Sequence, residues 1–427
     1  MSVMLLIGFL LLVIIGLPVG FAMGTITVIA FWALGFERML LIIAQKMSSG
    51  TDNFVYLAIP LYILAAEIMA NGKLTEKIVH FCDTLVGHVV GGLAHVNVMA
   101  SMLFAGISGS ATADASGLGK IEIDIMDRAG YPREFSGAVT AASAIIGPII
   151  PPSNIMIIYA VVAQNVTVAA MFIGGVLPGI MIGVAEMVLC YFMAKKYRFP
   201  RRKRRSSLSE ILRATYETIP CLVLPVIILG GIASGVFTAT ESGAIATLYA
   251  LFISCFVMRT ISLRDVLMCC RRAAKTTANV LFIIAVASAM GWAITTMRIP
   301  QQVTEFCLQN IGSRWVFLLF INVLLLIIGM IVDQSPALLI MVPILLPISL
   351  NFGIHPLHFG IIVCLNLTIG LITPPVGMTL FVTANVGKIK LTRLYRSIIP
   401  FVCICMAVLA LVSCFESFTT WLPGVIL

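Results

Sequence analysis

Ile146-Gly147-Pro148-Ile149-Ile150-Pro151-Pro152-Ser153-Asn154 lies between long apolar runs of the kind that form membrane helices, yet it carries three prolines and a glycine. Proline removes a backbone donor and its ring clashes with the preceding turn, so a helix entering this stretch must break. Inside a bilayer, backbone groups released from the helical ladder are tolerated only where they face protein, water or a bound ion. The pattern returns at Ile369-Gly370-Leu371-Ile372-Thr373-Pro374-Pro375-Val376-Gly377, so I-G-x-I-x-P-P occurs twice, 223 residues apart (370 minus 147). Two broken helices in corresponding halves of an apolar chain mark the binding site of a secondary transporter.

The surrounding composition agrees. Of 427 residues, 60% are hydrophobic and only 11% charged, and the mean hydropathy is +1.09; apolar runs long enough to span recur throughout. The first basic residue is Arg38, so the N-terminus lacks the positive segment of a signal peptide and reads as a permanent span. The net charge of +9 would suit nucleic acid if it formed one patch, but Lys and Arg gather in short loops between spans, which is a topology signal. Nucleic-acid binding is excluded on that ground. The eleven cysteines lie mostly in apolar segments with no C-x-x-C pair and read as small core residues. His355 and His358 sit in a short loop beside Pro356 with no third ligand nearby, so they read as loop residues and not as a metal pair.

Taken in order, residues 3–17 and 19–35 read as a tight helical hairpin around Gly16-Leu17-Pro18, followed by a span at 51–70. Residues 74–87 alternate charged and apolar groups at helical spacing and read as an interfacial helix. The segment 89–121 is too short for two spans and too broken for one, which predicts a re-entrant hairpin with its tip at Ser108-Gly109-Ser110. A broken span at 135–160 and a span at 168–194 complete the first repeat, 1–194, and the basic stretch 195–213 follows as a cytoplasmic linker. The second repeat, 214–427, has scaffold spans within 215–297, an interfacial helix at 300–312 and a hairpin at 315–350 with its tip at Asp333-Gln334-Ser335-Pro336. A broken span at 358–385 and a last span at 397–420 follow. The expected fold is an all-α polytopic membrane protein of two repeats, each with a re-entrant helical hairpin and a broken helix.

Each half then makes an odd number of crossings, so the repeats have inverted topology. With the linker inside, 23 of the 27 Lys and Arg fall on the cytoplasmic side, leaving Arg38, Lys46, Arg298 and Arg314 outside. Treating 3–35 as one span and 74–87 as another exchanges Arg38 and Lys46 for Lys73 and Lys77, so the tally does not decide the N-terminal detail. Either way both termini are expected outside. Adding 223 to Ser110 at the first tip gives Asp333 at the second, which places the tips in register with the breaks.

A hairpin tip facing a broken helix brings together helix N-termini, which favour anions, and helix C-termini, whose free carbonyls favour cations. At the first crossing Ser108, Gly109 and Ser110, with the backbone at Gly147 and Pro148, offer hard oxygens suited to sodium. At the second, Asp333 and Thr373 do so with the backbone around Gly370 and Gly377. Substrate between them would meet Ser110, Ser153 and Asn154. A lone Ser or Thr in a membrane helix often bonds back to its own helix, whereas a carboxylate in an apolar hairpin is costly and functional, which singles out Asp333. Glu67, Asp114, Glu186, Glu241 and Glu416 are weaker candidates, with Asp114, four residues past a tip, the best of them.

The segments GGLAHVNVMASMLFAGISGSATADASGLG, GPIIPPSNIMIIYA and LITPPVGMTLFV resemble the large membrane subunit of TRAP transporters, the tripartite ATP-independent periplasmic transporters of the DctM type. The resemblance covers essentially the whole chain. It implies a sodium-driven importer of an organic carboxylate (a C4-dicarboxylate, sialic acid or sugar acid), working by an elevator mechanism in which a domain of hairpins and broken helices slides against a scaffold. It also implies two partners, a periplasmic substrate-binding protein and a separate small four-helix membrane subunit of the DctQ type. Carried onto this chain, the family's sodium sites fall at Ser108 to Ser110 with Gly147, and at Asp333 with Gly370 and Thr373; its substrate contacts fall near Ser110 and Ser153. The nearest rival is a stand-alone anion symporter of the wider ion transporter class, which needs no partner. A channel lacks its repeated filter loop or charged ring here, an intramembrane enzyme its catalytic set, and an ATP-driven pump its nucleotide-binding loop. Sodium ions are the only cofactor expected.

Overall fold

The computed structural model describes residues 7–9, 11–13, 15–33, 35, 39–72, 74–200 and 205–427. Residues 3–6, 10 and 14 of the first expected span, with Arg38, Lys73 and residues 201–204 of the basic linker, lie outside these. The described residues contain helices and no strand, and eight of the helices are long and apolar enough to cross a membrane.

The first half runs α1 (Val19–Ala33), α2 (Leu40–Thr51), α3 (Ala58–Asn71, entered through a 3-10 turn at Phe54–Leu57), α4 (Leu74–Val86), α5 (Gly92–Ser108), α6 (Ala111–Arg128), α7 (Arg133–Ala144), α8 (Asn154–Ala163) and α9 (Val168–Tyr197). The second half runs α10 (Leu208–Ala233), α11 (Ala239–Phe252), α12 (Leu263–Thr296), α13 (Ile299–Asn310), α14 (Arg314–Ile331), α15 (Gln334–Asn351), α16 (Pro356–Gly370), α17 (Met378–Gly387), α18 (Leu391–Cys414) and α19 (Ser417–Ile426). The order short helix, helix–tip–helix, helix–break–helix, long helix therefore occurs twice.

Three features differ from the sequence reading. Residues 40–51 form a helix packed along α12, in a stretch to which the sequence reading gave no element; its polar tail QKMSSGT hides the helical period. The last of the scaffold spans expected within 215–297, read from the apolar run at 276–297, begins at Leu263, because Ser262 and Asp265 form a capping box and Arg, Lys and Ala favour the helix. At about 1.5 Å per residue, 34 residues exceed a hydrocarbon core of roughly 30 Å. Arg271, Arg272 and Lys275 thus stand on a helix, not in a loop. Lastly, the apolar run 397–420 is interrupted after Cys414, and Glu416 there pairs with Arg314 at 2.7 Å.

Lipid-facing surfaces are recognisable on the long helices. On α10 Leu208, Leu212, Tyr216, Ile219 and Val226 are all exposed, and on α14 Val316, Leu319, Val323 and Ile327, each series at three-, four- or seven-residue spacing. In water such stripes would be costly; in a bilayer they are the solvated face. The two halves interleave inside. The α8 segment of the first broken helix packs on α15 of the second hairpin, and α17 of the second broken helix packs on α6 of the first. Tyr159 on α8 donates to the Pro356 carbonyl at 2.7 Å, and Arg133 at the start of α7 donates to the Gly387 carbonyl at 2.7 Å.

Candidate functional site

The first break runs from Ile145 to Ser153, with a cis bond between Pro151 and Pro152. Among the described residues no backbone N–H reaches the carbonyls of Gly147, Pro151 or Pro152. Ser153, fully buried, donates its hydroxyl to the Pro148 carbonyl and accepts from the Met156 N–H at 3.3 Å, which caps α8. Its hydroxyl thus holds the break in shape, while the next residue, Asn154, faces open space.

Against this break sits the first tip. Gly109 adopts the left-handed conformation at φ +63°, and a methyl group there would lie 2.3 Å from the Pro152 carbonyl oxygen, so only glycine lets the tip approach. Ser108 donates its hydroxyl to Asp114 Oδ1. The other oxygen, Asp114 Oδ2, has no hydrogen-bonding partner among the described residues. It lies beside Gly147, where an added Cβ would meet it at 2.3 Å. Asp114 is 1% exposed, so the first crossing holds a buried carboxylate with one free oxygen, backed by free carbonyls at the break. Asp114 was the best of the weaker sequence candidates; its distance of one turn from the tip is the signal that marks it.

The second crossing is built alike. Asp333 occupies the N-cap of α15 at the tip, and Gly377 donates its N–H to the Met330 carbonyl at 3.2 Å, joining break to hairpin. Gly370 touches Gly329 backbone to backbone: a Cβ on Gly370 would meet Gly329 C at 2.5 Å. Thr373, in the break, donates its hydroxyl back to the Ile369 carbonyl at the end of α16 at 2.8 Å, so what this residue offers outward is its carbonyl. Behind the tip, the Thr368 hydroxyl lies 3.0 Å from Gln334 Oε1.

The two tips open on one cavity of about 690 Å³, whose walls include Ser108, Gly109, Ser110, Asn154, Asp333, Gln334 and Ser335. Gly147, Pro148, Ser153, Gly370, Thr373 and Gly377 are not among the residues that line it. Across it lie α3 and α12, contributing Glu67, Asn71, Arg272, Thr276 and Asn279. Arg272 is 3.3 Å from Asn71 Oδ1 and only loosely paired with Glu67 at 3.8 Å. It is the residue that sequence reasoning missed, because its charge was assigned to a loop. The cavity thus pairs oxygen-rich tips on one side with a guanidinium on the other, within the volume range of roughly 300–1,000 Å³ typical of small-molecule sites.

Residues 6–418 match the family described as "Tripartite ATP-independent periplasmic transporter, DctM component". The chain belongs to the DctM family. It is 41% identical over 423 residues to the sialic acid TRAP transporter large permease protein SiaM of Vibrio cholerae, covering 98% of each chain. It is 38% identical over 382 residues to the C4-dicarboxylate TRAP transporter large permease protein DctM of Pseudomonas aeruginosa, covering 90% of this chain and 89% of that one. Among solved structures, the Alcanivorax borkumensis YdaH transporter superposes with a TM-score of 0.64 over 90% of each chain at 14% identity, a likeness of fold alone. The DctM chain is accordingly a multi-pass membrane protein of the TRAP transporter family, a large permease subunit, as the motifs implied.

Proposed function

We propose that this DctM chain is the permease of a sodium-coupled importer of an organic carboxylate, with the cavity between the two hairpin tips as its substrate site. The observation that carries this reading is the charge arrangement of that one cavity. Ser110, Asn154 and Asp333 face it from the tips and the first break, and Arg272 faces them from α12. A guanidinium held loosely at 3.8 Å from Glu67 is free to re-pair with a substrate carboxylate, which it matches bidentately. Sodium would sit behind the tips, the first ion at Asp114, Ser108 and the Gly147 backbone, the second at Asp333 with the Gly370, Thr373 and Gly377 backbone. Each ion draws together a hairpin and a broken helix, so substrate and cation complete one rigid body. That body would slide against α3 and α12 in an elevator movement, between inverted repeats, in the bacterial inner membrane with both termini periplasmic. A small membrane subunit of the DctQ type and a periplasmic binding protein are the expected partners, and the known relatives' cargoes suggest a sugar acid or a dicarboxylate.

Reconstitution tests this. The chain with its small subunit, in proteoliposomes, is given labelled carboxylates under imposed sodium or proton gradients, with and without the binding protein. Uptake requiring both sodium and the binding protein is expected. Sodium-driven uptake without the binding protein would instead make the chain a stand-alone symporter.

A further inference from the structure

Glu122 on α6 is 3% exposed, and neither carboxylate oxygen has a hydrogen-bond partner among the described residues. It faces a second cavity, about 220 Å³, between α4 and the hairpin arms α5 and α6, away from the substrate site. Glu76, His80 and Asp83 line that cavity from the amphipathic helix α4, and Asn97 lines it from α5. Asn97 is already committed: its amide donates to Thr140 at 2.8 Å and its carbonyl accepts from Ser143 at 2.8 Å. Thr140 and Ser143 are the polar groups that α7 presents to this network, and α17, packed on the other side of α6, carries no titratable side chain. On α6 itself Asp124 and Asp127 pair with Arg133 at 3.1 and 2.6 Å, and Asp114 lies eight residues back, about 12 Å along the helix. Neither oxygen of Glu122 is hydrogen-bonded to a basic side chain among the described residues.

An ionised carboxylate so placed would carry the full cost of its lost hydration, and either a proton or a cation must relieve it. The surroundings offer a cation little. The Asn97 amide that shares the cavity is already in use, and no cluster of His, Cys, Asp and Glu suited to a metal occurs among the described residues. A proton needs nothing more than a path, and the cavity provides one to the exposed residues His80 and Glu76 on α4. We propose that Glu122 is a proton-binding site of the first hairpin, loaded from the aqueous phase through the cavity under α4. The carboxylate takes one proton from water or from His80 and becomes the neutral acid, and its release returns that proton to the same cavity. Because Glu122 shares a helix with Asp114, its proton would travel with the hairpin as a further coupled ion; that last step alone rests on the transporter reading.

Infrared difference spectroscopy of the full chain in lipid nanodiscs, cycled between acid and alkaline buffer, tests the binding itself. A deuterium-sensitive carboxylic-acid band is expected, lost in Glu122→Gln, shifted but retained in Glu122→Asp, and unchanged in Asp333→Asn. A band that persists intact in Glu122→Gln overturns the proposal, as does one that is exchanged for a carboxylate band by added sodium at constant pH. Should Glu122→Gln fail to fold, a Glu122→Asp band at the wild-type position overturns it equally. In proteoliposomes at fixed sodium, wild-type uptake is expected to depend several-fold on pH, and Glu122→Gln to flatten that dependence while its sodium dependence stays. Absence of any sodium-driven uptake by the wild type would refute the transporter reading and leave the infrared result standing.

Discussion

A methyl group on Gly147 would sit 2.3 Å from Asp114 Oδ2, in the space assigned to the first sodium ion. Gly147→Ala is therefore expected to raise the sodium concentration for half-maximal uptake by tenfold or more, order-of-magnitude figures for a displaced ligand at about 1.4 kcal/mol per factor of ten. A sodium titration of uptake checks it, and an unchanged midpoint would remove Gly147 from the site. For Arg272, the account expects Arg272→Gln to raise the KM for substrate strongly with the sodium midpoint unchanged, and Arg272→Lys to recover only part, since a lysine loses the bidentate fit. At this scale the sequence showed Ser108, Ser110, Asn154 and Asp333, all of which line one cavity. That Asp114 lies beside Gly147 was not legible, because the two residues are 33 apart (147 minus 114). The sequence reading passed over Arg272 because a charge beside an apolar run reads equally as a loop, and only the length of α12 carries it to the cavity wall. Ser153 was visible as a polar residue after the prolines, but that its hydroxyl turns back onto Pro148 depends on the shape of the break.

Breaks and tips fit one another through glycine. Gly370 meets Gly329 backbone to backbone, so Gly370→Ala must push α16 off the hairpin arm α14. Overpacking of this kind costs typically 1–3 kcal/mol, and a fall in Tm of several degrees is expected by thermal unfolding in detergent. A surface pair supports the same architecture elsewhere. Arg393 on α18 donates to Glu134 on α7 at 2.9 Å, and that hydrogen bond holds the Glu134 carboxyl below the usual carboxylate range. Its contribution to stability is present above the unfolded value and fades as the pH falls through the lowered folded one. Glu134→Gln should therefore lower Tm slightly at neutral pH and not in acid, the small size reflecting its half-exposed setting. Elements with a strong local signal were legible before the structure: proline pairs fixed both breaks, and the apolar runs around Ser108 and Asp333 fixed both hairpins. The helix α2 was not, since its sequence mixes an apolar start with a polar tail and it owes its place to packing on α12. The early start of α12 likewise follows from a cap at Ser262 that periodicity does not see.

Across the whole molecule, α8 packs on α15 and α17 on α6, so the two halves share one interior. The doubled proline motif announced two halves, but nothing in it states that they interleave, because that depends on contacts such as Tyr159 to Pro356 and Arg133 to Gly387, 197 and 254 residues apart. Cargo identity is less legible still: a cavity of about 690 Å³ whose lining holds one guanidinium has room for many small anions. Coupling of the two crossings to that cavity is the central claim. The direct test is to measure radioactive sodium and labelled carboxylate entering the same proteoliposomes, for the wild type and for Asp333→Asn. The account predicts more than one sodium ion per substrate in the wild type, and in Asp333→Asn a lower ratio or no coupled flux at all. Substrate entry without accompanying sodium, or a ratio untouched by Asp333→Asn, would contradict it.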